Sequence, residues 1–250
     1  MRFLLLQRRS LGDALYTALV GEVIKREFPG AVVDFLTLPF AVDFFNSYRY
    51  IDRAIPDRGI LKNLKQISGR YDVVLDYEAT FRTYPLVLFS LAKERVAFYR
   101  KKRERFLYPI YNRLVEYRSY NFTFWDRLLL LKPLGVDVEN KYIRQRFLPG
   151  FHLKGGIEPV DYRSLLGKEY IVFTPKGVIP TKGIKPEKVA QIYRLLKERT
   201  GLSVVIAVEP KEKEYIKALR GLGLEVFSED LLKFTFLLKG AKALAFTPAG

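Results

Sequence analysis

The chain has 250 residues, 49% hydrophobic and 28% charged, which suffices for a sizeable core and excludes a disordered protein. No cysteine and a single histidine, His152, exclude disulfide scaffolds, thiolate metal sites and a cysteine nucleophile, and argue against histidine-rich metal centres and Ser-His-Asp catalysis. The 43 Lys and Arg against 27 Asp and Glu leave a net charge of +16, which favours anionic partners: nucleotides, phosphosugars, nucleic acid or an acidic lipid surface. The opening apolar run stops at Leu6 before Arg8 and Arg9, too short for a signal peptide. Leu86 to Ala92 is far short of the roughly 18 residues that span a bilayer, so a soluble, cytoplasmic chain is expected. Absent cysteine, one methionine and abundant Lys and Glu also fit a heat-adapted source.

Residues 3–7 predict a strand and 13–28 a helix, with Leu15, Leu19, Val23 and Ile24 on one face. A strand at 32–36, a short helix at 40–45, a strand at 51–55, a helix at 60–67 and a strand at 72–75 follow. A helix at 81–91, despite Pro85, and a strand at 96–99 complete the series. Strands apolar on both faces that alternate with helices imply a parallel sheet covered on both sides. From 147 to 160 the pattern lapses into Pro149-Gly150, Gly155-Gly156 and Pro159. The expected division is therefore a first domain over 1–150, a linker over 151–160 and a second domain over 161–250. In the second, strands at 170–174, 203–208, 224–227 and 243–246 alternate with helices at 186–199, 211–219 and 231–238. Two Rossmann-like domains are the economical architecture, with ligands at the carboxyl ends of the strands.

Four segments carry candidate chemistry. The first is the turn Gln7-Arg8-Arg9-Ser10-Leu11-Gly12-Asp13, where Ser10 is placed to cap the helix and Gly12 to let backbone approach a ligand. Asp13 either serves the helix dipole or acts as a general base. The second is the loop 174–187, with Thr174, Lys176, Thr181, Lys182 and Lys185 ahead of Pro186. Backbone N–H groups and lysine charge there suit a pyrophosphate, or form a solvated basic loop. It is neither a Walker A sequence nor a dinucleotide fingerprint. The third is the segment 93–120, with nine Lys and Arg against three Glu. Arg100, Lys101, Lys102 and Arg103 lie among Phe98, Tyr99, Phe106, Tyr108 and Tyr111. That pattern suits an anionic membrane or phosphorylated lipid, single-stranded nucleic acid, or a solvated basic helix. The fourth is Asp72 to Glu78 with Arg82 beyond. Asp76 stands at a strand's carboxyl end, either in a site or in an ion pair with Arg82. His152 is expected to be an ordinary surface residue.

Taken in order, these segments resemble the heptosyltransferases of lipopolysaccharide core synthesis, glycosyltransferase family 9. Phe3 to Leu15 is similar to the family's strand, S-[LM]-G-D turn and helix. Glu27-Phe28-Pro29-Gly30-Ala31-Val32-Val33-Asp34-Phe35-Leu36 follows as its second strand does. Tyr71-Asp72-Val73-Val74-Leu75-Asp76 resembles its (F/Y)DxVIDLQ strand, with Arg82-Thr83 near its Arg-Ser. Thr174-Pro175 and Pro180-Thr181-Lys182 resemble its donor loop. The resemblance implies an α/β GT-B fold, two Rossmann-like domains facing a cleft. It implies inverting, metal-independent transfer of heptose from ADP-heptose to the inner core, with no cofactor and no nucleic-acid partner. Asp13 resembles the base, and Lys182 the lysine on the donor diphosphate, with Thr174, Lys176 and Thr181 beside it. Ser10, Gly12, Asp76, Arg82 and Arg100 to Arg103 fall on the acceptor side. The family's D-[ST]-G-P-x-H loop would fall where Thr247-Pro248-Ala249-Gly250 stands, so a truncated second domain is expected. The alternative is a non-catalytic relative that binds an anionic lipid or glycan. The resemblance further implies a place at the inner face of the cytoplasmic membrane.

Overall fold

Continuous apolar strands can be desolvated only between two layers of helix, and the chain folds accordingly into parallel α/β units. The computed structural model describes residues 1–99, 109–175 and 184–246. It divides into a first unit, Met1–Ile157, and a second that starts at Glu158, inside the Gly/Pro-rich segment.

The first unit runs β1 (Arg2–Leu6), α1 (Leu11–Glu27), β2 (Val32–Thr37), α2 (Val42–Asn46), β3 (Arg53–Pro56), α3 (Ile60–Ile67), β4 (Val73–Asp76), α4 (Tyr84–Phe89), β5 (Glu94–Tyr99), β6 (Arg113–Glu116) and α5 (Thr123–Leu128). Its sheet is wholly parallel in the order β3-β2-β1-β4-β5-β6. Central β1 is buried on both faces, with Leu5 paired to Phe35 on one side and Leu75 on the other. One face of the sheet, through Leu4, Leu6 and Val74, packs on Leu64 and Ile67 of α3 and on Leu86 and Val87 of α4. In α1, Asp13 lies in the first turn and Lys25 and Arg26 in the last, matching the helix dipole. Gly21 of α1 meets the Tyr50 carbonyl so closely that a Cβ would stand 2.8 Å from its oxygen.

The structure departs from the sequence expectations in instructive places. Pro85 falls in the first turn of α4, where its missing N–H costs nothing, so the helix begins at Tyr84 instead of 81. The helix expected at 40–45 is a 3-10 turn, Pro39–Ala41, followed by α2. In the basic segment 93–120, the described residues include the strands β5 and β6 and no α-helix, which corrects the solvated-helix reading for them. Arg113 and Glu116 of β6 mark a charged sheet edge. Residues 151–154, the start of the linker expected over 151–160, are tied to the first unit. Phe151 stacks on Phe44 and Tyr48 at 4.6 and 4.7 Å, and Lys154 N–H donates to the Ser47 carbonyl at 2.9 Å. His152 stays exposed, and its carbonyl accepts from Arg49 N–H at 2.7 Å.

The second unit runs α6 (Tyr162–Leu166), β7 (Tyr170–Thr174), α7 (Pro186–Thr200), β8 (Ser203–Ala207), α8 (Lys213–Gly221), β9 (Val226–Phe227), α9 (Leu231–Gly240) and β10 (Ala243–Phe246). Its parallel sheet has the order β10-β7-β8-β9, with apolar clusters on both faces. Asp161 and Asp230 cap α6 and α9 through their side chains.

Gly21→Ala should destabilise the first unit by about 1–3 kcal/mol, because backbone on the facing segment has to move. Urea unfolding of the variant checks this, and an unchanged midpoint would show that Tyr50 gives way freely.

Candidate active site

In a sheet of this order the chain leaves β1 and β4 in opposite directions, which opens a crevice at their carboxyl ends. A cavity of about 320 Å³ lies there, lined by Gln7, Arg9, Asp13, Tyr77, Glu78 and Arg127 among others, at the small end of ligand-site volumes. Its walls are the turn after β1, the turn after β4, the start of α1 and the short helix α5.

Arg127 joins these walls. One guanidinium nitrogen, Nη2, donates to Asp13 Oδ1 at 2.6 Å. The other, Nη1, donates to Gln7 Oε1 at 3.2 Å and to the Tyr77 carbonyl at 3.5 Å. The guanidinium carbon lies 5.4 Å from the Tyr77 ring centroid. The Arg127 side chain is only 10% exposed, whereas that of Asp13 is 43% exposed. Asp13 is therefore held at one oxygen while the carboxylate stays open to the cavity. Next to Arg127, buried Asp126 accepts from Tyr120 N–H at 2.7 Å and Tyr117 hydroxyl at 3.1 Å, which fixes the segment leading into α5.

A second buried group supports the floor. Glu78 accepts the Arg8 backbone N–H at 2.5 Å, and its other oxygen lies 3.7 Å from the Arg8 guanidinium. Arg8 also reaches Asp57 at 3.2 Å. Burial pushes the Glu78 carboxyl above the ordinary carboxylate range, against the opposing pull of the Arg8 N–H and charge. Burial likewise raises the Tyr77 phenol.

The sequence-predicted residues meet different fates. Asp13 lies in the cavity wall, and Ser10 and exposed Gly12 lie in the turn beside it. Ser10 is not a side-chain cap. Its backbone takes a positive φ of 53°, its hydroxyl makes no cap hydrogen bond, and its carbonyl serves α1 by accepting Ala14 N–H at 3.0 Å. A Cβ on Gly12 would meet nothing nearer than Ser10 Oγ at 4.0 Å, so packing within the chain does not require glycine there. Asp76 is fully buried. Oδ1 accepts N–H from Glu78 and Ala79 at 2.9 and 3.0 Å, and Oδ2 accepts the Tyr111 hydroxyl at 2.6 Å. It builds the turn that carries Tyr77 and Glu78. The expected pairing of these acids with Arg82 is thereby corrected, since Glu78 pairs with Arg8 and Arg82 is exposed. Thr174 ends β7, its hydroxyl 3.5 Å from the Ala245 carbonyl. Lys176, Thr181, Lys182, Arg100, Lys101, Lys102 and Arg103, and the stretch Thr247-Pro248-Ala249-Gly250, lie outside the described residues. Among the described residues no group of three or more His, Asp or Glu is placed to hold a metal ion, and no helix is long and apolar enough to cross a membrane.

Sequence reasoning missed Arg127, which lies 114 residues from Asp13 on a six-residue helix too short to show a period. The one available signal was an Asp-Arg pair directly after the chain's only tryptophan, in an aromatic run.

No protein-family model and no curated protein matches the chain. Solved structures do. The Escherichia coli heptosyltransferase WaaC with ADP is 20% identical and aligns over 98% of this chain and 80% of its own, with a TM-score of 0.75. The fold is GT-B. The E. coli ADP-heptose heptosyltransferase II gives 15% identity over 98% of this chain and 78% of its own, TM-score 0.73. A family 9 glycosyl transferase from Veillonella parvula gives 17% over 97% and 74%, TM-score 0.72. At these identities the likeness concerns architecture.

The Glu78 carboxyl should titrate above the ordinary value of about 4.3 in a carbon-13 NMR titration. Because the folded value lies above the unfolded one, the stability tied to this group is complete below about pH 4.3 and is lost as pH rises through the folded value. Denaturant unfolding should show that loss in the parent and not in Glu78→Gln. A Glu78 that titrates at or below the ordinary value contradicts this account.

Proposed function

We propose that the chain is an inverting, metal-independent glycosyltransferase that moves heptose from ADP-heptose to a phosphorylated lipopolysaccharide inner-core acceptor at the inner face of the cytoplasmic membrane. The observation that carries the reading is Asp13, a carboxylate on the first turn of α1 that lines the cavity at the β1/β4 switch point and is held at one oxygen by Arg127. The support from likeness is that the chain shares its fold with heptosyltransferases, one of them solved with ADP.

In this reaction the acceptor hydroxyl lies against Asp13, which takes its proton. The freed oxygen attacks the anomeric carbon, and the bond from that carbon to the diphosphate oxygen breaks. The bonding pair leaves with ADP. Lys182 and the loop ahead of α7 neutralise the charge that builds on the departing diphosphate. Thr174, Lys176 and Thr181 belong to the same donor side. Ser10 and Gly12 allow the acceptor to approach the backbone beside Asp13, consistent with the open space at Gly12. Arg82 and the cations Arg100, Lys101, Lys102 and Arg103 attract the acceptor's phosphates. Asp76 contributes indirectly, through the turn that it holds. Arg127 is a positioning residue, fixing the carboxylate while the Asp13 side chain keeps access to the acceptor.

Asp13→Asn should lower kcat by about 10²–10⁴-fold and leave ADP affinity by calorimetry unchanged. Transfer at parental rate in that variant would remove the base. Lys182→Ala should weaken ADP binding by about 1.5–3 kcal/mol, the worth of a charge-assisted hydrogen bond. Arg127→Met should lower kcat with little change in donor KM, and Arg127→Lys should restore part of the loss. A chain that binds ADP-heptose without transferring it would support the binding-protein alternative.

A further inference from the structure

The two helices on one face of the first unit's sheet present an unusual surface. Residues 58–70, which contain α3, and residues 81–93, which contain α4, together carry Arg58, Lys62, Lys65, Arg70, Arg82 and Lys93 and no acidic residue. The flanking carboxylates are already engaged, Asp57 with Arg8 and Glu94 with Arg113. The same stretches expose Ile60, Leu61, Phe81, Leu88, Phe89 and Leu91, each between 39 and 78% exposed. The helices pack side by side over the core cluster of Leu64, Ile67, Leu86 and Val87, and their ends are joined where Gly69 N–H donates to the Ser90 carbonyl at 2.9 Å. At that junction Leu91 is held at a left-handed φ of 56° with its side chain outward. A leucine displayed at such a backbone position costs conformational energy that burial does not repay.

We infer that the α3–α4 face is a docking surface for an anionic lipid bilayer. Isolated exposed apolar residues need no explanation, but aliphatic and aromatic side chains among unopposed cations match both layers of an acidic membrane. Lys and Arg meet the headgroups while Leu and Phe enter the interfacial region. The aliphatic content, Ile60, Leu61, Leu88 and Leu91, favours lipid over single-stranded nucleic acid, which is gripped by aromatic stacking. Thr80 lines the cavity and Phe81 and Arg82 follow it directly, so the face adjoins the cavity mouth. A membrane seated there brings a lipid-borne acceptor to Asp13. The surface itself rests on charge and exposure alone and stands apart from the transferase reading.

Co-sedimentation of the full chain, without nucleotide, with vesicles of pure phosphatidylcholine and of phosphatidylcholine mixed with phosphatidylglycerol tests the assignment. Binding should require the anionic lipid and weaken with salt. Lys62→Glu/Lys65→Glu and Leu61→Ser/Phe89→Ser should each lower the partition coefficient at least about tenfold. Leu195→Ser on α7 of the second unit, also an exposed leucine, should leave it unchanged. Leu91→Gly relaxes the left-handed backbone while removing an apolar contact, so it should weaken vesicle binding without lowering the melting temperature. No binding to anionic vesicles would overturn the proposal. So would equal binding to pure phosphatidylcholine, binding that survives both double substitutions, or preference for an oligonucleotide over anionic vesicles at the same salt. A parallel ADP titration unaffected by the double substitutions keeps this outcome separate from the fate of the donor reading.

Discussion

The first unit's site depends on one buried cation. Arg127 is held by the Asp13 carboxylate, the Gln7 amide oxygen, the Tyr77 carbonyl and the Tyr77 ring. Those partners come from the start of α1, the turn after β1 and the turn after β4, which would otherwise be separate loops. A guanidinium can serve all three because its donors point in a rigid planar fork, whereas an ammonium would act as a single point charge. Burial enforces the arrangement, since a desolvated guanidinium stripped of its acceptors costs far more than the net worth of any single contact. The geometry around Asp13 is thus specified by the folding of α5, an element that contributes one cavity-facing cation and little length.

Three aspartates near the site show how the same side chain takes opposite roles. Asp76 sits at the end of β4 with two backbone N–H groups and a tyrosine hydroxyl on its oxygens, so its capacity is spent on shaping the turn. Asp126 is likewise consumed by Tyr120 and Tyr117. Asp13 alone of the three combines a single charged partner with substantial exposure. What separates a structural carboxylate from one available to a ligand is the number of donors aimed at it, and that count is invisible in a sequence.

The β-α alternation was legible because most strands are short apolar runs and each helix begins near a Pro, Gly or acidic residue. The strands at 170–174 and 243–246 and the helix at 60–67 match the structure residue for residue. Errors fell where local signals compete. Pro85 read as an interruption because its place in the first turn depends on where Thr80 and Thr83 fix the preceding turn. The strand β6 was hidden because its exposed charged residues mask any alternation. Asp13 was legible from its turn, while Arg127 was not, because no spacing rule links a residue to one 114 positions away.

The charge of the chain acquires direction once these positions are known. The net excess of +16 says only that anions are attracted. Among the residues that line the cavity, however, Arg9 and Arg127 stand against Asp13, Glu78 and Asp126, so the lining itself is close to balanced. Outside it, the stretches that contain α3 and α4 carry Arg58, Lys62, Lys65, Arg70, Arg82 and Lys93 and no acidic residue. On the function proposed above, long-range attraction gathers a charged partner at that face, and short-range hydrogen bonding within a balanced cavity orients the uncharged acceptor hydroxyl. A cavity with a large excess of cations would instead draw phosphate towards Asp13 and hold its carboxylate in ion pairs. With the excess charge placed elsewhere, Asp13 keeps one charged partner and 43% of its side chain exposed.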